Sequence, residues 1–399
     1  MKTRHPRACR LTLTAALIGA ASLPALADVI TDWNERCAAL IGDARIGTPP
    51  AVRVMALVQT AAYAAVRDTG TAPQAVDAAV AAAHRTALTQ LLPAQKAAID
   101  ASFQAAVALL PDDAARAQHL AVGERAAQRV LAERASEMPR TPDTYRPHTT
   151  PGQYVPTVPP AVTQWPQRKP WLLDRADQFR PGPPPALASE RWARDYNEIK
   201  ALDARDSKTR STEQTDIGRF WDYSLPAIYH GVVRSVALQP GRSVADNARL
   251  FATVAQAMDD AMVAVMDAKY SYNLWRPITA IRNGDTDGHD GTERDPAWAP
   301  LIDTPMHPEY PCAHCILGAT VGTVIKAEGR ERPLPVLSTS SPTALGAVRR
   351  WSTPDAFMQE VALARIVAGV HYRNSTEVGL AMGRRIGEWA VARSAAAAQ

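Results

Sequence analysis

Residues 245–275 read ADNARLFATVAQAMDDAMVAVMDAKYSYNLW and contain neither proline nor glycine. Their apolar residues recur at spacings of three and four, which is typical of a helix with a packed face. The alanine-rich residues 51–135 contain shorter stretches of the same kind, such as AVDAAVAAAHRTALTQLL. No convincing strand alternation is present in the sequence. The sequence therefore predicts an all-α protein.

A proline-dense stretch runs from Met138 to Pro185 and includes PRTPDTYRPHTTPGQYVPTVPP and FRPGPPP. Aromatic residues recur along it, and we interpret it as a long loop held on a surface rather than as a disordered linker. A second irregular stretch, Asn283 to Cys312, precedes two predicted helices near residues 313–327 and 354–391. We therefore expect long proline-rich loops between the helices.

The first 27 residues have a basic start, an apolar run and an A-x-A sequence that ends at Ala27. This pattern is typical of a secretory signal peptide, so we expect cleavage after Ala27 and export to the periplasm or secretion. A membrane anchor is the alternative, but the run is short for one and contains Pro24. We expect no stable membrane span after cleavage. We assign residues 28–188 to an N-terminal helical region with the proline-rich loop, and residues 189–399 to a C-terminal helical domain.

The formal net charge is +4, and residues 1–27 contain four basic residues and no acidic one. The rest of the chain is therefore neutral, so the composition gives no indication of nucleic-acid binding. The cysteines beyond residue 27 are Cys37, Cys312 and Cys315. An odd number permits one disulfide and a free thiol, but not a disulfide scaffold. The alanine-rich helices are compatible with a homodimer.

The first polar cluster follows the long helix and reads KYSYNLWRP, from Lys269 to Pro277. Lys269 and Arg276 are spaced so that one continuous α-helix would place them on nearly the same face, two turns apart. Pro277 disfavours helix at the preceding residue, so we expect Arg276 at a helix end. Two neighbouring cations indicate an anion between them, unless carboxylates such as Asp267 and Asp285 neutralise them on an ordinary charged surface.

The second cluster is YPCAHC, residues 310–315, which follows a proline-punctuated loop and opens an apolar run. This pattern predicts a helix that begins near Cys312, with its first backbone N–H groups free to bind an anion. His314 on that first turn can donate or accept a proton. The alternatives are a capping loop with a structural histidine, and a redox or metal-binding cysteine pair. Cys312 and Cys315 can also form a short disulfide.

The third cluster reads RIVAGVHYRNS, from Arg365 to Ser375. Arg365 and His371 would point in different directions on one continuous helix. They can converge only where the helix breaks, and Gly369 offers a place for the break. Ser375, one turn beyond His371, can accept a hydrogen bond from one ring nitrogen and leave the other nitrogen free. Alternatively, His371 is a buried histidine with a structural role alone.

Together the clusters supply three cations, a helix N-terminus and two histidines. Arginine binds the oxygens of an anion through its planar guanidinium fork, whereas lysine contributes a point charge. One histidine can bond to the central atom, and the other can transfer a proton at the opposite side. This combination suits a tetrahedral or trigonal-bipyramidal oxyanion.

The clusters resemble the pattern K-x6-R-P, P-S-G-H and S-R-x5-H-x3-D of a superfamily that joins vanadium-dependent haloperoxidases and type-2 phosphatidic-acid phosphatases. Here the elements read KYSYNLWRP, PCAH and ARIVAGVHYRNS, in the same order and with the same spacing. YNLWRPITAIR, TPMHPEYP, FRPGPPPAL and EQTDIGRFW resemble the bacterial haloperoxidase branch, and the resemblance extends from about Asp32 to Trp389. It implies helix bundles with an oxyanion site at the end of the C-terminal bundle.

The resemblance implies which residues contact the oxyanion. Lys269, Arg276 and Arg365 would neutralise the oxygens of vanadate or phosphate, and Lys269 would also polarise peroxide. Cys312, at the position of the family's serine, and the backbone N–H of Ala313 would contribute further contacts.

The resemblance also implies the reacting groups. His371 would supply the nitrogen that bonds vanadium or attacks phosphorus, and His314 would be the acid–base group on the opposite side. Ser375 would orient His371 in place of the family's aspartate. The chain departs from the family pattern at Cys312, Ala313, Ala364 and Ser375. We expect these departures to affect turnover more than binding.

The function implied is that of an exported vanadate-dependent haloperoxidase, which oxidises a halide with hydrogen peroxide. The first alternative is an acid phosphatase of the same superfamily that acts through a phosphohistidine. The second is a non-catalytic helical protein that binds an oxyanion or exchanges thiols through its cysteines. In the enzymatic interpretations the partners are small molecules: peroxide and halide, or a phosphomonoester.

Overall fold

A computed structural model describes residues 28–70, 72–111, 114–137 and 145–397. Within these ranges the chain is largely helical, and the predicted all-α class is confirmed. The predicted signal peptide lies outside the described residues. In the described part of the chain, no helix combines the length and the apolar character needed to cross a membrane.

The helices are, in chain order, α1 (Val29–Asp43), α2 (Thr48–Thr69), α3 (Pro73–Leu91), α4 (Lys96–Val107), α5 (Ala114–Arg134), α6 (Glu190–Leu202), α7 (Thr212–Phe220), α8 (Pro226–Ala237), α9 (Val244–Tyr272), α10 (Pro277–Arg282), α11 (Ala313–Glu328), α12 (Pro354–Val367) and α13 (Arg373–Ala397).

A β-hairpin lies between α11 and α12. Its strands, β1 (Leu337–Ser340) and β2 (Val348–Trp351), pair antiparallel. The expectation that the chain has no strands is therefore wrong at this place. Each strand has four residues, which is too few to give a recognisable alternation in the sequence. The hairpin forms because β1 packs against α8, where the amide of Ser338 donates to the hydroxyl of Ser235 at 2.9 Å.

The long helix predicted from residues 245–275 is α9, which forms the centre of the fold. It begins with a capping box between Ser243 and Asp246 and ends at Asn273 in the left-handed conformation. Most of its residues are buried, because α2 packs along it and α11 and α13 also contact it. Its apolar residues join a core cluster that includes residues of both α1 and α13. Through α9, the N-terminal helices support the helices that carry the polar motifs.

Helices α11 and α13 approach closely because glycine recurs at every fourth position on the facing side of α13. A Cβ at Gly383 would lie 2.3 Å from the carbonyl oxygen of Ile316, so a larger residue would push the helices apart. The close approach places the start of α13 beside the start of α11. A hydrogen bond of 3.2 Å joins the two starts, from the Cys312 amide to the Ser375 carbonyl. The glycines are Gly379, Gly383 and Gly387.

The proline-rich stretch is fixed to the bundle through its described part. The backbone N–H groups of Trp171, Leu172 and Leu173 donate to the Asp260 carboxylate on α9, at 2.6 to 2.9 Å. The guanidinium of Arg53 on α2 lies over the Trp171 ring, 4.8 Å from its centroid. The prediction of a loop held on a surface is confirmed for this segment.

Candidate oxyanion site

The loop that leads into α11 is the meeting point of the first two motifs. Nζ of Lys269 donates to the carbonyl oxygens of Pro308 (2.8 Å) and Glu309 (2.7 Å). Nε of Arg276 donates to the carbonyl oxygen of His307 at 2.9 Å. The two cations are therefore held against the same loop, and this loop opens directly onto the helix that carries His314.

Lys269 and Arg276 do not share one helix face, and that prediction from their spacing is wrong. Helix α9 ends at Tyr272, and the chain turns at Asn273 before Arg276 caps the start of α10. Pro277 follows at the first position of α10, so the predicted place of Arg276 at a helix end is confirmed. The two side chains converge because the chain folds back after α9.

The third motif is folded by a break between α12 and α13. Helix α12 ends at Val367, and Gly369 adopts a positive φ of 77°. A Cβ there would lie 2.9 Å from the carbonyl oxygen of Asp203, so both the backbone conformation and the neighbouring chain favour glycine. The His371 amide donates back to the Arg365 carbonyl at 3.3 Å. The single helix predicted near residues 354–391 is therefore wrong, because it is two helices, α12 and α13. The break falls at Gly369, the place that convergence of Arg365 and His371 was expected to require.

The imidazole of His371 is held between Glu309 and Arg276. Nδ1 lies 2.7 Å from Oε1 of Glu309, and Nε2 lies 3.3 Å from Nη1 of Arg276. The Ser375 hydroxyl is 3.5 Å from Nδ1, at the outer limit of a hydrogen bond. The prediction that Ser375 orients His371 is therefore corrected, since Glu309 makes the closer contact. Glu309 lies in the segment TPMHPEYP, but nothing in the sequence indicates that it reaches a histidine 62 residues away.

His314 and Arg365 meet at the carbonyl oxygen of Trp221. Nη1 of Arg365 donates to this oxygen at 2.7 Å, and the His314 ring also hydrogen-bonds to the Trp221 backbone. Nε of Arg365 and Nε2 of His314 are buried and have no hydrogen-bond partner among the described residues. Buried polar atoms without partners cost free energy unless a ligand or water satisfies them. Because Nδ1 of His314 carries the proton that bonds the Trp221 carbonyl, Nε2 of the neutral ring is an acceptor, whereas Nε of Arg365 is a donor. The two nitrogens therefore mark a place where an anion that carries both an acceptor oxygen and a hydroxyl can bind.

The start of α11 differs from the prediction at Cys312. Its sulfur is bonded to Cys315, and its backbone N–H donates to the Ser375 carbonyl. Cys312 therefore has no donor left for an anion, and its predicted role as an oxyanion contact is wrong. Helix α11 begins at Ala313, whose backbone N–H has no partner within the helix. The Ala313 amide is thus available to an oxygen of the anion.

A third imidazole, that of His307, borders the same site. Its Nδ1 lies 3.0 Å from Nη2 of Arg276. Burial lowers the pKa of His307 well below its usual value, and the charges of Lys269 and Arg276 lower it further. Sequence reasoning gave His307 no role in the oxyanion site, because only the fold brings this ring against Arg276.

The cations of the site are buried. Lys269 is 0% exposed, and Arg276 and Arg365 are each 1% exposed. Burial lowers the pKa of Lys269 well below its usual value, and it lowers the pKa of both arginines to about 10. Burial also raises the pKa of Glu309 to about 7, against the opposite effect of Lys269 and Arg276. This excess of buried positive charge, together with the unpartnered nitrogens, fits an oxyanion such as vanadate or phosphate.

In architecture the chain is a helical protein of the vanadium-haloperoxidase type. A bacterial vanadium-dependent iodoperoxidase has the same fold, with a TM-score of 0.75 and 23% identity over 92% of this chain and 96% of that one. A holo-type bacterial vanadium-dependent chloroperoxidase matches with a TM-score of 0.73 and 17% identity, over 88% of this chain and 93% of that one. At these identities the likeness establishes the fold.

Sequence comparison gives the more particular relationship. Residues 249–399 match the family model of the VCPO second helical-bundle domain. Vanadium chloroperoxidase of Curvularia inaequalis is 30% identical over 149 residues, which span 31% of this chain and 24% of that protein. The match therefore covers about a quarter of the length of this curated relative. The resemblance to vanadium haloperoxidases that the three motifs predict is confirmed.

Proposed function

We propose that the protein is an exported vanadate-dependent haloperoxidase-like enzyme that oxidises a halide with hydrogen peroxide. The observation that carries this proposal is the pair of buried, unpartnered nitrogens on Arg365 and His314, in a cluster with the buried cations Lys269 and Arg276. A bound oxyanion that carries a proton supplies an oxygen acceptor for Arg365 and a hydroxyl donor for Nε2 of His314, and its negative charge compensates the positive charge. The haloperoxidase-type fold and the family match support vanadate as that oxyanion.

The oxyanion would be held by four residues. Lys269, Arg276 and Arg365 contribute charge and hydrogen bonds, and the Ala313 amide contributes a donor at the N-terminus of α11. His371 presents Nε2 on the side of Arg276, where it would bond the vanadium. When bound, vanadate supplies the Lewis acid that activates peroxide.

His314 is the proposed acid–base group. Burial lowers its pKa well below the usual value, and Arg365 is the next contributor. The ring is therefore neutral near pH 7 when no anion is bound, and Nε2 can accept a proton from incoming hydrogen peroxide. The same nitrogen can then return the proton to the oxygen that leaves as product.

The disulfide between Cys312 and Cys315 supports both peroxide chemistry and export. A free thiol beside a peroxide site is readily oxidised, whereas these two sulfurs are already paired and both residues are fully buried. Disulfides persist in oxidising compartments such as the periplasm. A paired Cys312 is therefore compatible with this site in a way that a thiol would not be.

The proposal is tested by incubating the purified protein with orthovanadate and assaying bromide-dependent bromination with hydrogen peroxide. We expect vanadate-dependent activity in the wild type and its loss in His371→Ala. His148→Ala is the matched control, because that histidine is exposed and lies outside the site. Bromination that persists in His371→Ala would contradict the proposed site.

The same preparation distinguishes the two alternative functions. Hydrolysis of p-nitrophenyl phosphate without vanadate, inhibited when vanadate is added, would replace the proposal with a phosphatase that uses His371 as nucleophile. A folded protein that binds vanadate but shows neither activity would leave oxyanion binding as the function.

A further inference from the structure

We propose that Glu309 is the positioning residue of His371: its carboxylate accepts the Nδ1–H of the imidazole and so turns an unprotonated Nε2 towards the oxyanion. This inference rests on the proposed function, in which Nε2 bonds the central atom of the anion. It gives a role to a carboxylate that the three sequence motifs leave unassigned.

The tautomer of His371 follows from its two partners. An arginine can only donate hydrogen bonds, so Nε2 accepts from Nη1 of Arg276 at 3.3 Å and carries no proton. The proton of the neutral ring is therefore on Nδ1. The acceptor that faces Nδ1 is Oε1 of Glu309, at 2.7 Å. Because the second nitrogen of a ligating histidine commonly sets its tautomer and ring orientation, this contact fixes which nitrogen faces the anion.

The Glu309 carboxylate is itself held in place. Oε1 also accepts the backbone N–H of Tyr372 at 3.1 Å, and the Glu309 carbonyl accepts from Nζ of Lys269 at 2.7 Å. The residue thus joins the Lys269 end of the site to the His371 end. A change that shortens or neutralises this side chain acts directly on the ring of His371.

The other partners of the Glu309 carboxylate satisfy it only in part. The residue is 0% exposed, and Oε2 has no hydrogen-bond partner among the described residues. A buried carboxylate is costly to desolvate. The Tyr372 N–H, the Ser375 hydroxyl and the charges of Lys269 and Arg276 offset this cost only in part, since the pKa of Glu309 stays raised to about 7. The short contact with His371 accounts for a carboxylate at this place.

Asp195 provides a matched control for Glu309. It is 2% exposed, and its Oδ2 accepts the backbone N–H of Asn374 at 2.9 Å, close to the amide that Glu309 holds. Its partners do not include His371. Asp195→Asn therefore removes a buried carboxylate of α6 that contacts the start of α13, without changing a partner of the His371 imidazole.

NMR of protein labelled with 15N-histidine identifies the tautomer of His371. The spectra are recorded without vanadate or phosphate at a fixed pH of about 7.5, because the imidazole is then mostly neutral. The His371 signals are those missing from His371→Ala. We expect a protonated Nδ1 and an unprotonated Nε2 in the wild type and in Asp195→Asn. Without the Glu309 carboxylate, the tautomer depends only on the long 3.3 Å contact between Nε2 and Arg276, so in Glu309→Ala we expect protonation to move towards Nε2. In Glu309→Gln, which keeps an acceptor oxygen, we expect a smaller change. An unchanged tautomer in both Glu309 variants would overturn the inference.

Affinity for orthovanadate, measured by calorimetry, is the second readout. We expect Glu309→Ala to weaken binding about 10–100-fold, Glu309→Gln to weaken it less, and Asp195→Asn to leave it unchanged. If Glu309→Ala does not fold, Glu309→Gln decides alone. Wild-type affinity in a folded Glu309 variant would refute the positioning role. If the wild type binds no vanadate, the proposed function fails instead, and the NMR readout still decides the role of Glu309.

Discussion

Burial sets the protonation states of the imidazoles in the candidate site. The pKa values of His307, His314 and His371 are all lowered well below the usual value, first by burial and then by the neighbouring cations. All three rings are therefore neutral near pH 7 in the absence of an anion. Neutral rings suit the proposed chemistry, because His371 needs a free lone pair and His314 needs to accept a proton.

Binding of an oxyanion should raise the pKa of His314, since a negative charge favours the imidazolium. We therefore expect proton uptake by the wild type near pH 6.5 when orthovanadate or phosphate binds, and reduced uptake by His314→Gln. Calorimetric titrations in two buffers with different ionisation enthalpies give the number of protons. Equal proton numbers in the two proteins would show that His314 does not face the anion.

The disulfide gives a second prediction at the residue scale. Cys37, Cys312 and Cys315 are each 0% exposed, so none should react with iodoacetamide in the native protein. After denaturation without reductant we expect Cys37 alone of the three to be labelled, and after reduction all three. Peptide mass spectrometry reads the labels. Labelled Cys312 in the denatured, unreduced protein would exclude the disulfide.

At the scale of elements, the site depends on how helices end. Helix α9 stops at Asn273, and α12 stops before Gly369. Each end turns the chain so that the next polar residue faces the loop before α11. The glycine stripe on α13 then brings the starts of α11 and α13 together. Continuous helices would carry the same residues away from one another.

Gly369→Ala tests the break between α12 and α13, with Gly346→Ala as its control. Both glycines have φ of 77°, but a Cβ at Gly346 meets nothing within 4 Å, whereas at Gly369 it meets Asp203 and Pro300. We expect Gly346→Ala to cost about 1 kcal/mol of unfolding free energy and Gly369→Ala to cost about 1–3 kcal/mol more. Gly369→Ala should also weaken vanadate binding, because it displaces His371. Urea denaturation measures the cost, and equal losses for the two variants would contradict the steric argument.

At the scale of the whole molecule, two histidines buried between helices also make stability depend on pH. His84 on α3 stacks on Trp33 of α1, and burial lowers its pKa to about 4. His230 on α8 stacks on Phe251 of α9, and burial lowers its pKa to about 3. Both rings lie in contacts between packed helices. Protonation of either ring would favour the unfolded chain.

We expect the free energy of unfolding to fall as the pH drops below about 6.5, the pKa of an unfolded histidine. Each ring binds its proton more readily in the unfolded chain than in the folded one. The stabilisation that the neutral buried ring gives to the folded state is therefore complete above about pH 6.5, and it is lost as the pH falls towards the pKa of the folded protein. Between pH 7 and 4.5 the loss is about 2–3 kcal/mol per ring. Urea midpoints at both pH values measure it. A folded His84→Gln should lose less than the wild type, whereas exposed His148→Gln should match the wild type; equal losses in all three proteins would contradict the linkage.

The sequence by itself determined the helical class and the central helix, and it indicated Gly369 as the place for a break if Arg365 and His371 converge. These follow from local rules: apolar spacing, capping residues and the backbone preferences of glycine and proline. Motif spacing also indicated which cations and histidines to bring together. The prediction that Lys269 and Arg276 share one helix face was wrong. It assumed a single helix, and residue spacing alone does not show that the chain turns at Asn273.

Only the tertiary structure decided the β-hairpin, the disulfide, the approach of His307 to Arg276 and the pairing of Glu309 with His371. Each depends on contacts that the fold makes, and the sequence had no local pattern that selected them. The same holds for the unpartnered nitrogens of Arg365 and His314, since a missing partner can be recognised only when the surroundings are known. Local preferences fix the elements, whereas burial and packing between distant segments fix which side chains face one another and with what charge.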